Sequence, residues 1–195
     1  HYWIGSMDLN SLYPSVIRAM NMGPETIIGQ CRLDKTHAMV REKMGNKSSF
    51  AEAWEGIFCT LEFDLVRDRD IAEKITVDWE NGETDQYTGA EIYDLIHNQG
   101  NPWGISANGT IIRHDIKGII PNLLERWYAE RKVMQKSLQE AIDANDKDKI
   151  EFWDKRQLVK KINLNSLYGA ILNPGSRFFD LRMGQSVTLT GRSIA

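Results

Sequence analysis

Two long helical patterns joined by a short polar turn dominate the last third of this 195-residue sequence. In both patterns apolar residues recur at intervals of three and four, which predicts helices over about 121–144 and 147–172. Residues 143–146 form the turn, and Asp146 is suited to cap the second helix. Because the turn is short, the helices must run antiparallel, and at 1.5 Å per residue they form a hairpin roughly 40 Å long. The chain therefore has to fold around a projecting helical hairpin.

Short strand and helix patterns make up the rest of the sequence. Runs rich in β-branched and aromatic residues predict strands, over 1–7, 56–65, 75–79, 85–87, 110–114 and 177–181. Helical spacing with suitable cap residues predicts short helices, over 15–21, 36–43, 49–55, 88–98 and 186–195. The dipeptide Asn81-Gly82 predicts a tight turn between two of the strands. This mixture, without an internal repeat, predicts the α+β class.

Composition limits the class of protein. Hydrophobic residues make up 42% of the sequence and the formal net charge is only −3, which favours a packed core over a disordered chain. The sequence has no apolar run of the roughly 18 residues that a membrane span needs, and no signal-peptide pattern at its start. We therefore expect a soluble cytoplasmic protein with no membrane partner. Cys31 and Cys59 lack metal-ligand spacing, and we expect buried thiols in a reducing compartment, with a disulfide as the alternative.

Charge is distributed unevenly along the chain. Residues 1–112 carry 9 Lys and Arg against 17 Asp and Glu, a formal charge of −8. Residues 113–195 carry 15 against 10, a formal charge of +5. The acidic part is suited to hold cations and the basic part to contact polyanions, although charged residues on helices are also commonly only solvated.

Asp8 lies where the first predicted strand ends. A tight turn follows and leads into a short helix, with Asn10 and Ser11 as candidate caps and Pro14 in the first turn. A carboxylate in this position can face a cleft, beside the free N–H groups of the helix start. The alternative is that Asp8 only caps the helix.

A stripe of polar residues follows one face of the second long helix. Its members share that face because they are spaced at i, i+4, i+7 and i+8, and they are Lys161, Asn165, Tyr168 and Gly169. Antiparallel packing can bring Arg131 of the first helix beside Lys161. Two neighbouring cations repel each other unless an anion such as a polyphosphate lies between them. The alternative is an amphipathic hairpin with a polar outer face.

Three segments resemble motifs of the family B DNA polymerases, in the order of that family. Residues 8–15, Asp-Leu-Asn-Ser-Leu-Tyr-Pro-Ser, resemble motif A, and residues 161–169, Lys-Ile-Asn-Leu-Asn-Ser-Leu-Tyr-Gly, resemble motif B. Between them, residues 118–132 resemble the Gly-Ile-(Leu/Val)-Pro…Arg-Lys approach to the fingers. The runs at 24–27 and 178–182 resemble most closely the replicative polymerases of tailed bacteriophages.

The resemblance implies a fold and a division of the chain. The fold is α+β, with a partial palm sheet, a mixed α/β insertion and a long antiparallel helical hairpin as the fingers. The implied parts are a palm segment with motif A (1–30), a mixed insertion of the palm (31–115), the fingers hairpin with motif B (116–172), and a truncated return to the palm (173–195).

The resemblance also implies a metal site. Asp8 would be one of two palm carboxylates that bridge two Mg²⁺ ions, and the Leu9 carbonyl would be a further ligand. One ion would activate the primer 3′-hydroxyl, and the other would steady the triphosphate and the departing pyrophosphate.

A nucleotide site is implied beside the metal site. The N–H groups of Ser11 and Leu12 would bind the β- and γ-phosphates, and Tyr13 would lie under the deoxyribose and exclude a 2′-hydroxyl. Arg131 and Lys161 would neutralise the triphosphate during phosphoryl transfer. The residues implied to line the nascent base pair are Asn165, Tyr168 and Gly169.

The implied activity is DNA-directed DNA synthesis by two-metal phosphoryl transfer. The implied partners are primer–template DNA and dNTPs, with a C-terminal polymerase piece and a sliding clamp in the complete enzyme. For a phage protein the implied location is the cytoplasm of the host cell.

The sequence departs from the family pattern at two places. Gln135 stands where the family often has a lysine four residues after the arginine, with Lys136 one step on. No Asp-Thr-Asp motif C follows motif B, and the only later acid, Asp180, has a different context. We therefore expect a fragment, or one piece of a split polymerase, that does not extend primers alone. The last predicted helix also stops without a terminating signal.

Two other functions fit parts of the sequence. The +5 charge of residues 113–195 suits a non-catalytic, nucleic-acid-binding helical hairpin. A hydrolase that uses Asp8 is weaker, because no second pair of carboxylates stands near it. Tyr13 separates the first alternative from a polymerase, since a DNA-binding module has no use for a sugar gate.

Overall fold

The computed structural model describes residues 11–32 and 74–194. The predictions that lie outside these residues are the strands over 1–7 and 56–65, the helices over 36–43 and 49–55, the site residues Asp8 and Leu9, and Cys59. Strands and helices are mixed in the described ranges, which confirms the predicted α+β class.

Five strands of the described chain form one antiparallel sheet, in the order β3-β2-β1-β5-β4. Their bounds are β1 Ile27–Arg32, β2 Ile75–Trp79, β3 Thr84–Tyr87, β4 Trp103–Ile105 and β5 Thr110–Arg113. The predicted hairpin between β2 and β3 is confirmed, and Gly82 closes it with a φ of 88°. The predicted strand at 110–114 is confirmed as β5.

The central strand β1 was not predicted from the sequence. Gly29 interrupts its apolar pattern, and glycine weakens a strand in isolation. In the sheet, however, a Cβ atom at position 29 would lie 2.8 Å from the ring of Trp79 on β2. The glycine therefore permits a close approach between neighbouring strands, and pairing on both sides outweighs the local preference.

Five α-helices occur in the described ranges: α1 Leu12–Ala19, α2 Gly89–Tyr93, α3 Ile119–Asp143, α4 Lys147–Ile171 and α5 Leu181–Ile194. The α3–α4 hairpin is the one that the sequence predicts. Its second helix is capped by Asp146, whose side chain accepts a hydrogen bond of 3.2 Å from the Lys149 N–H. None of the helices described here is both long and apolar enough for a membrane crossing.

Two predicted helices differ in detail from those in the structure. Helix α1 begins at Leu12 rather than at Ser15. The helix predicted over 88–98 begins with Thr88 as its cap, in a reciprocal pair with Glu91, and its second half is the π-helical turn Asp94–Asn98.

The strand predicted over 177–181 is wrong. Residues 176–178 form turns, and α5 already begins at Leu181 instead of at Ser186. Asp180 explains the early start, because its carboxylate accepts hydrogen bonds from the N–H (2.8 Å) and the guanidinium of Arg182. An acid that satisfies free N–H groups in this way initiates a helix.

Two hydrophobic clusters hold the elements together. One lies between the sheet and α2 and includes Val77, Ile92 and Ile111. The other joins α1, the base of the α3–α4 hairpin and α5, and its buried members include Val16, Leu124, Leu164, Met183 and Val187. This cluster packs the start of α1 against the end of α4, because it includes Leu12 as well as Leu167 and Tyr168.

Cys31 on β1 provides a prediction for alkaline pH. Its thiol is free, and burial raises its pKa from 9.0 to about 12. A thiol whose pKa is higher in the folded than in the unfolded state makes its full contribution to the free energy of unfolding below pH 9, the ordinary pKa. This contribution is lost as pH rises towards 12, the pKa in the folded state. We therefore expect the free energy of unfolding to fall more steeply between pH 9 and about 12 in the wild type than in Cys31→Ser, as measured by urea titration. Equal slopes would contradict the buried-thiol assignment.

Candidate functional site

A pair of tyrosines joins the two ends of the candidate site. Tyr13 lies in the first turn of α1 and Tyr168 near the end of α4, and their ring centroids are 4.6 Å apart at an interplanar angle of 34°. Tyr13 remains 37% exposed, so part of this residue is open to solvent. Residues 155 positions apart in the sequence therefore form one aromatic surface.

The hydroxyl of Tyr168 is held by α5. It lies 2.5 Å from Oγ1 of Thr188 and 3.4 Å from the carbonyl of Gly184. The Thr188 hydroxyl donates its single proton to the same Gly184 carbonyl at 2.9 Å, so Tyr168 is the donor to Thr188. Helix α5 thus holds the tyrosine ring in place.

Arg131 is a buried cation with few partners. It is only 7% exposed, and its Nη2 donates one long hydrogen bond of 3.4 Å to Oε1 of Gln157 on α4. Its Nε has no hydrogen-bond partner in the described ranges. Arg131 forms no surface ion pair with Glu130 or Glu151 in the described part of the chain, where Glu130 binds Lys160 and Glu151 binds Lys155.

Lys160 and Lys161 have different surroundings although they are neighbours. Lys160 pairs with Glu130, whose pKa it lowers, and its ammonium lies 5.6 Å from the centre of the Trp127 ring. Lys161 is exposed and has no ion pair within the described parts. It lies one helical turn beyond Gln157, the residue that Arg131 contacts. One lysine thus stabilises the hairpin, while the other is left with its charge exposed.

The remaining predicted site residues lie around the tyrosine pair and along α4. Ser11 precedes α1 in the left-handed conformation, with a φ of 55°. Leu12 begins the helix, and the N–H groups of such a first turn have no partner within the helix. Asn165 and Gly169 are exposed on α4, and a Cβ atom at Gly169 would meet nothing within 4 Å. Gly169 therefore leaves open space beside Tyr168.

Residues 2–195 match the sequence model of DNA polymerase family B, which is nearly the whole chain. The chain belongs to this family. Within the family it is 28% identical over 193 residues to the DNA-directed DNA polymerase of Enterobacteria phage T4, and 26% identical over 197 residues to that of Escherichia phage RB69. Each match covers 97% of this chain and 21% of the phage protein. The chain thus spans about a fifth of the length of these relatives.

A shorter match reaches a cellular family B polymerase. The chain is 36% identical over 86 residues to the DNA polymerase delta catalytic subunit of Oryza sativa subsp. japonica. This match covers 44% of the chain and 8% of the rice protein.

Sequence reasoning missed two groups beside the site. Thr188 was predicted only as part of a helix, and no spacing rule relates it to Tyr168. Arg18 of α1 lies with its guanidinium 4.4 Å from the centre of the Tyr128 ring, and Lys132 lies 5.6 Å from the same ring. Lys132 lies one turn from Tyr128 on the same helix, whereas only the packing of α1 against α3 brings Arg18 to this ring.

Proposed function

We propose that this family B chain is the palm-and-fingers part of a DNA polymerase that binds dNTPs and primer–template DNA and adds deoxynucleotides to a primer 3′-hydroxyl. The observation that carries the proposal is the contact between Tyr13 and Tyr168, because it joins the segments that resemble motifs A and B. The proposed parts are the palm segment (1–30), its insertion (31–115), the fingers (116–172) and the return to the palm (173–195).

The cations of the hairpin are the proposed triphosphate site. Arg131 is buried without a carboxylate partner in the described ranges, and Lys161 lies one turn from the residue that Arg131 contacts. A triphosphate supplies the negative charge that this pair lacks. Arg131 offers a planar fork of donors and Lys161 a point charge, and both stabilise charge on the transferring phosphoryl group.

The first turn of α1 is the proposed sugar and phosphate platform. The N–H groups of Ser11 and Leu12 are proposed to bind the β- and γ-phosphates, as helix starts commonly bind anions. Tyr13 presents an exposed ring face on which a deoxyribose can lie, and a 2′-hydroxyl would collide with that ring. Asn165, Tyr168 and Gly169 border the proposed base-pair pocket, where Gly169 leaves room for a flat group.

The metal proposal rests on donor chemistry. Asp8 and Leu9 lie three and two residues before Ser11, and a carboxylate with a carbonyl is a suitable hard-oxygen donor set for Mg²⁺. Asp8 is a single carboxylate, and no Asp-Thr-Asp motif C follows motif B in this sequence to supply another. Mg²⁺ would supply activation of the 3′-hydroxyl and charge neutralisation of the phosphates. The second carboxylate is proposed to come from the polymerase part that carries motif C.

We further propose that the chain acts in a completed enzyme, meaning this chain together with the polymerase part that supplies motif C and the thumb. A sliding clamp is a proposed further partner, and the cytoplasm of a phage-infected host is the proposed location. One carboxylate holds two divalent ions poorly, so the chain alone should not extend primers.

Primer extension tests this proposal. We expect no extension by the chain alone with Mg²⁺ and dNTPs, and template-dependent extension when a C-terminal piece carrying motif C is added. Lys161→Ala should lower kcat/KM for dNTPs by about 10²-fold in the completed enzyme, the size typical of one lost charge-stabilising donor. The adjacent Lys160→Ala is the matched control, because Lys160 is held by Glu130 and Trp127. Robust extension by the isolated chain, or equal losses in both variants, would contradict the proposal.

A nucleic-acid-binding hairpin without catalysis is the second candidate. The formal charge of +5 on residues 113–195 favours it. This second candidate predicts that the chain binds DNA in a salt-sensitive way, and that substitution of Tyr13 does not change the preference between deoxyribonucleotides and ribonucleotides.

A further inference from the structure

A buried polar cluster lies between the sheet and α5. Its centre is Asn108, in the turn 106–109 between β4 and β5, and this side chain is only 9% exposed. The hydroxyl residues around it are buried as well, and they are Ser106, Thr110 and Ser186. Burying four polar side chains is unfavourable unless each is hydrogen-bonded, so their arrangement has to be specific.

The protons of this cluster can all be assigned. The carbonyl oxygen of Asn108 accepts from the hydroxyls of Ser106 and Ser186, both at 2.6 Å. The hydroxyl of Thr110 is 2.6 Å from Oε1 of Gln30 and donates to it, which leaves both lone pairs of the Asn108 oxygen to the serines. The amide nitrogen of Asn108 donates to the carbonyl of Arg182 at 3.2 Å. The amide thus serves as a double acceptor and as a donor.

These bonds attach α5 to the sheet along one face. The turn contacts Arg182 and Ser186 through Asn108, and the N–H of Ala107 donates to Oγ1 of Thr190 at 3.1 Å. The three contacted positions on α5 are spaced at i, i+4 and i+8, so they form one stripe along the helix.

The opposite face of α5 contacts the tyrosine pair. Thr188 accepts a hydrogen bond from the hydroxyl of Tyr168 and donates to the Gly184 carbonyl, and a Cβ atom on Gly191 would lie 3.5 Å from Cε1 of Tyr13. At 100° per residue these three positions lie on the side of the helix away from the Arg182 stripe. Helix α5 therefore connects the Asn108 cluster rigidly to both rings.

We propose that Asn108 is a positioning residue for nucleotide selection, acting through α5 on Tyr168 and Tyr13. This inference rests on the proposed polymerase function. Asn108 touches neither ring, but it sets the register and rotation of the helix that holds them. Only an amide fits, because a carboxylate at this position cannot donate to the Arg182 carbonyl and would bury a charge.

The first test uses the isolated chain and needs no activity. Tyrosine is labelled with ¹³C at Cζ, and the signals of Tyr13 and Tyr168 are assigned with Tyr13→Phe and Tyr168→Phe. Asn108→Ala should shift or broaden both signals. Ile92→Ala is the matched control, because Ile92 is buried between the sheet and α2, away from α5, and its truncation also lowers the melting temperature. Unchanged signals in Asn108→Ala, or equal shifts in both variants, would overturn the inference.

The second test uses the completed enzyme. Asn108→Ala should lower the preference for dNTPs over ribonucleotides by about tenfold and raise KM for dNTPs more than it changes kcat, since a displaced positioning group weakens productive binding. Adding Tyr168→Phe to Asn108→Ala should not lower this preference further, because both substitutions disrupt the same contact between α5 and the Tyr168 hydroxyl. If Asn108→Ala keeps the preference for dNTPs while Tyr13→Ala loses this preference, the inference about Asn108 is overturned and the proposed function stays intact. An unchanged preference in Tyr13→Ala contradicts the proposed sugar contact itself.

Discussion

Replacing Arg131 with methionine in the completed enzyme is expected to lower kcat/KM for every dNTP by about 10²- to 10³-fold. This is the loss typical of removing one preorganised donor that stabilises charge in the transition state. The same substitution should keep or raise the melting temperature of the chain. A buried guanidinium with one long hydrogen bond and an unpartnered Nε is unfavourable for folding, and apolar replacements of buried charged groups are often neutral or stabilising by about 1–4 kcal/mol.

The opposite signs of the two effects make the experiment decisive. If Arg131 served the fold, its substitution would lower the melting temperature of the chain. Activity would then fall only as far as the folded fraction falls. Arg156→Met is the matched control, because Arg156 lies on the same hairpin with its guanidinium 4.7 Å from the centre of the Phe152 ring. Melting curves and single-nucleotide incorporation kinetics give the two readouts. A loss of melting temperature in Arg131→Met without a specific loss in kcat/KM would assign Arg131 to folding.

The long hairpin could be predicted from the sequence because its signals are local. Each helix carries its own apolar spacing, and Asp146 caps the second helix through a bond to a residue three positions away. The strand β1 could not be predicted in this way. Gly29 obscures its pattern, and only the ring of Trp79, about 50 residues later, accounts for the glycine.

The contacts of the candidate site residues could be predicted only in part, for the same reason. Spacing along one helix places Lys161 and Tyr168 on a shared face, but it cannot identify the partners of a side chain across a hairpin. Glu130 is adjacent to Arg131 in sequence and yet binds Lys160, because neighbouring residues on a helix point about 100° apart. Thr188 and Asn108 depend on contacts between helices and turns that are distant in sequence. The dipeptide Asn108-Gly109 indicates a turn, but no local signal at either residue identifies its distant partners.

Replacing Tyr13 with alanine in the completed enzyme is expected to raise the incorporation of ribonucleotides relative to deoxynucleotides by on the order of 10²-fold, with a smaller change for dNTPs. The reason is steric, because specificity against a larger substrate can be built from a collision with a fixed group. Tyr13 is held in place because its ring packs against that of Tyr168, with the ring centroids 4.6 Å apart, and because Tyr168 is hydrogen-bonded to Thr188. Competition between a dNTP and the matching ribonucleotide on one template measures the effect.

Two control variants separate the ring of Tyr13 from its other properties. Tyr13→Phe keeps the ring and should retain the preference for deoxynucleotides. Thr188→Val removes the hydroxyl that accepts from Tyr168, leaves Tyr13 intact, and should give an intermediate loss. We expect this order because the proposed exclusion of ribonucleotides depends first on the Tyr13 ring and then on the contacts that hold the ring in place. If Tyr13→Ala kept full discrimination while extending primers normally, α1 would not contact the sugar, and the nucleotide would have to bind elsewhere on the hairpin.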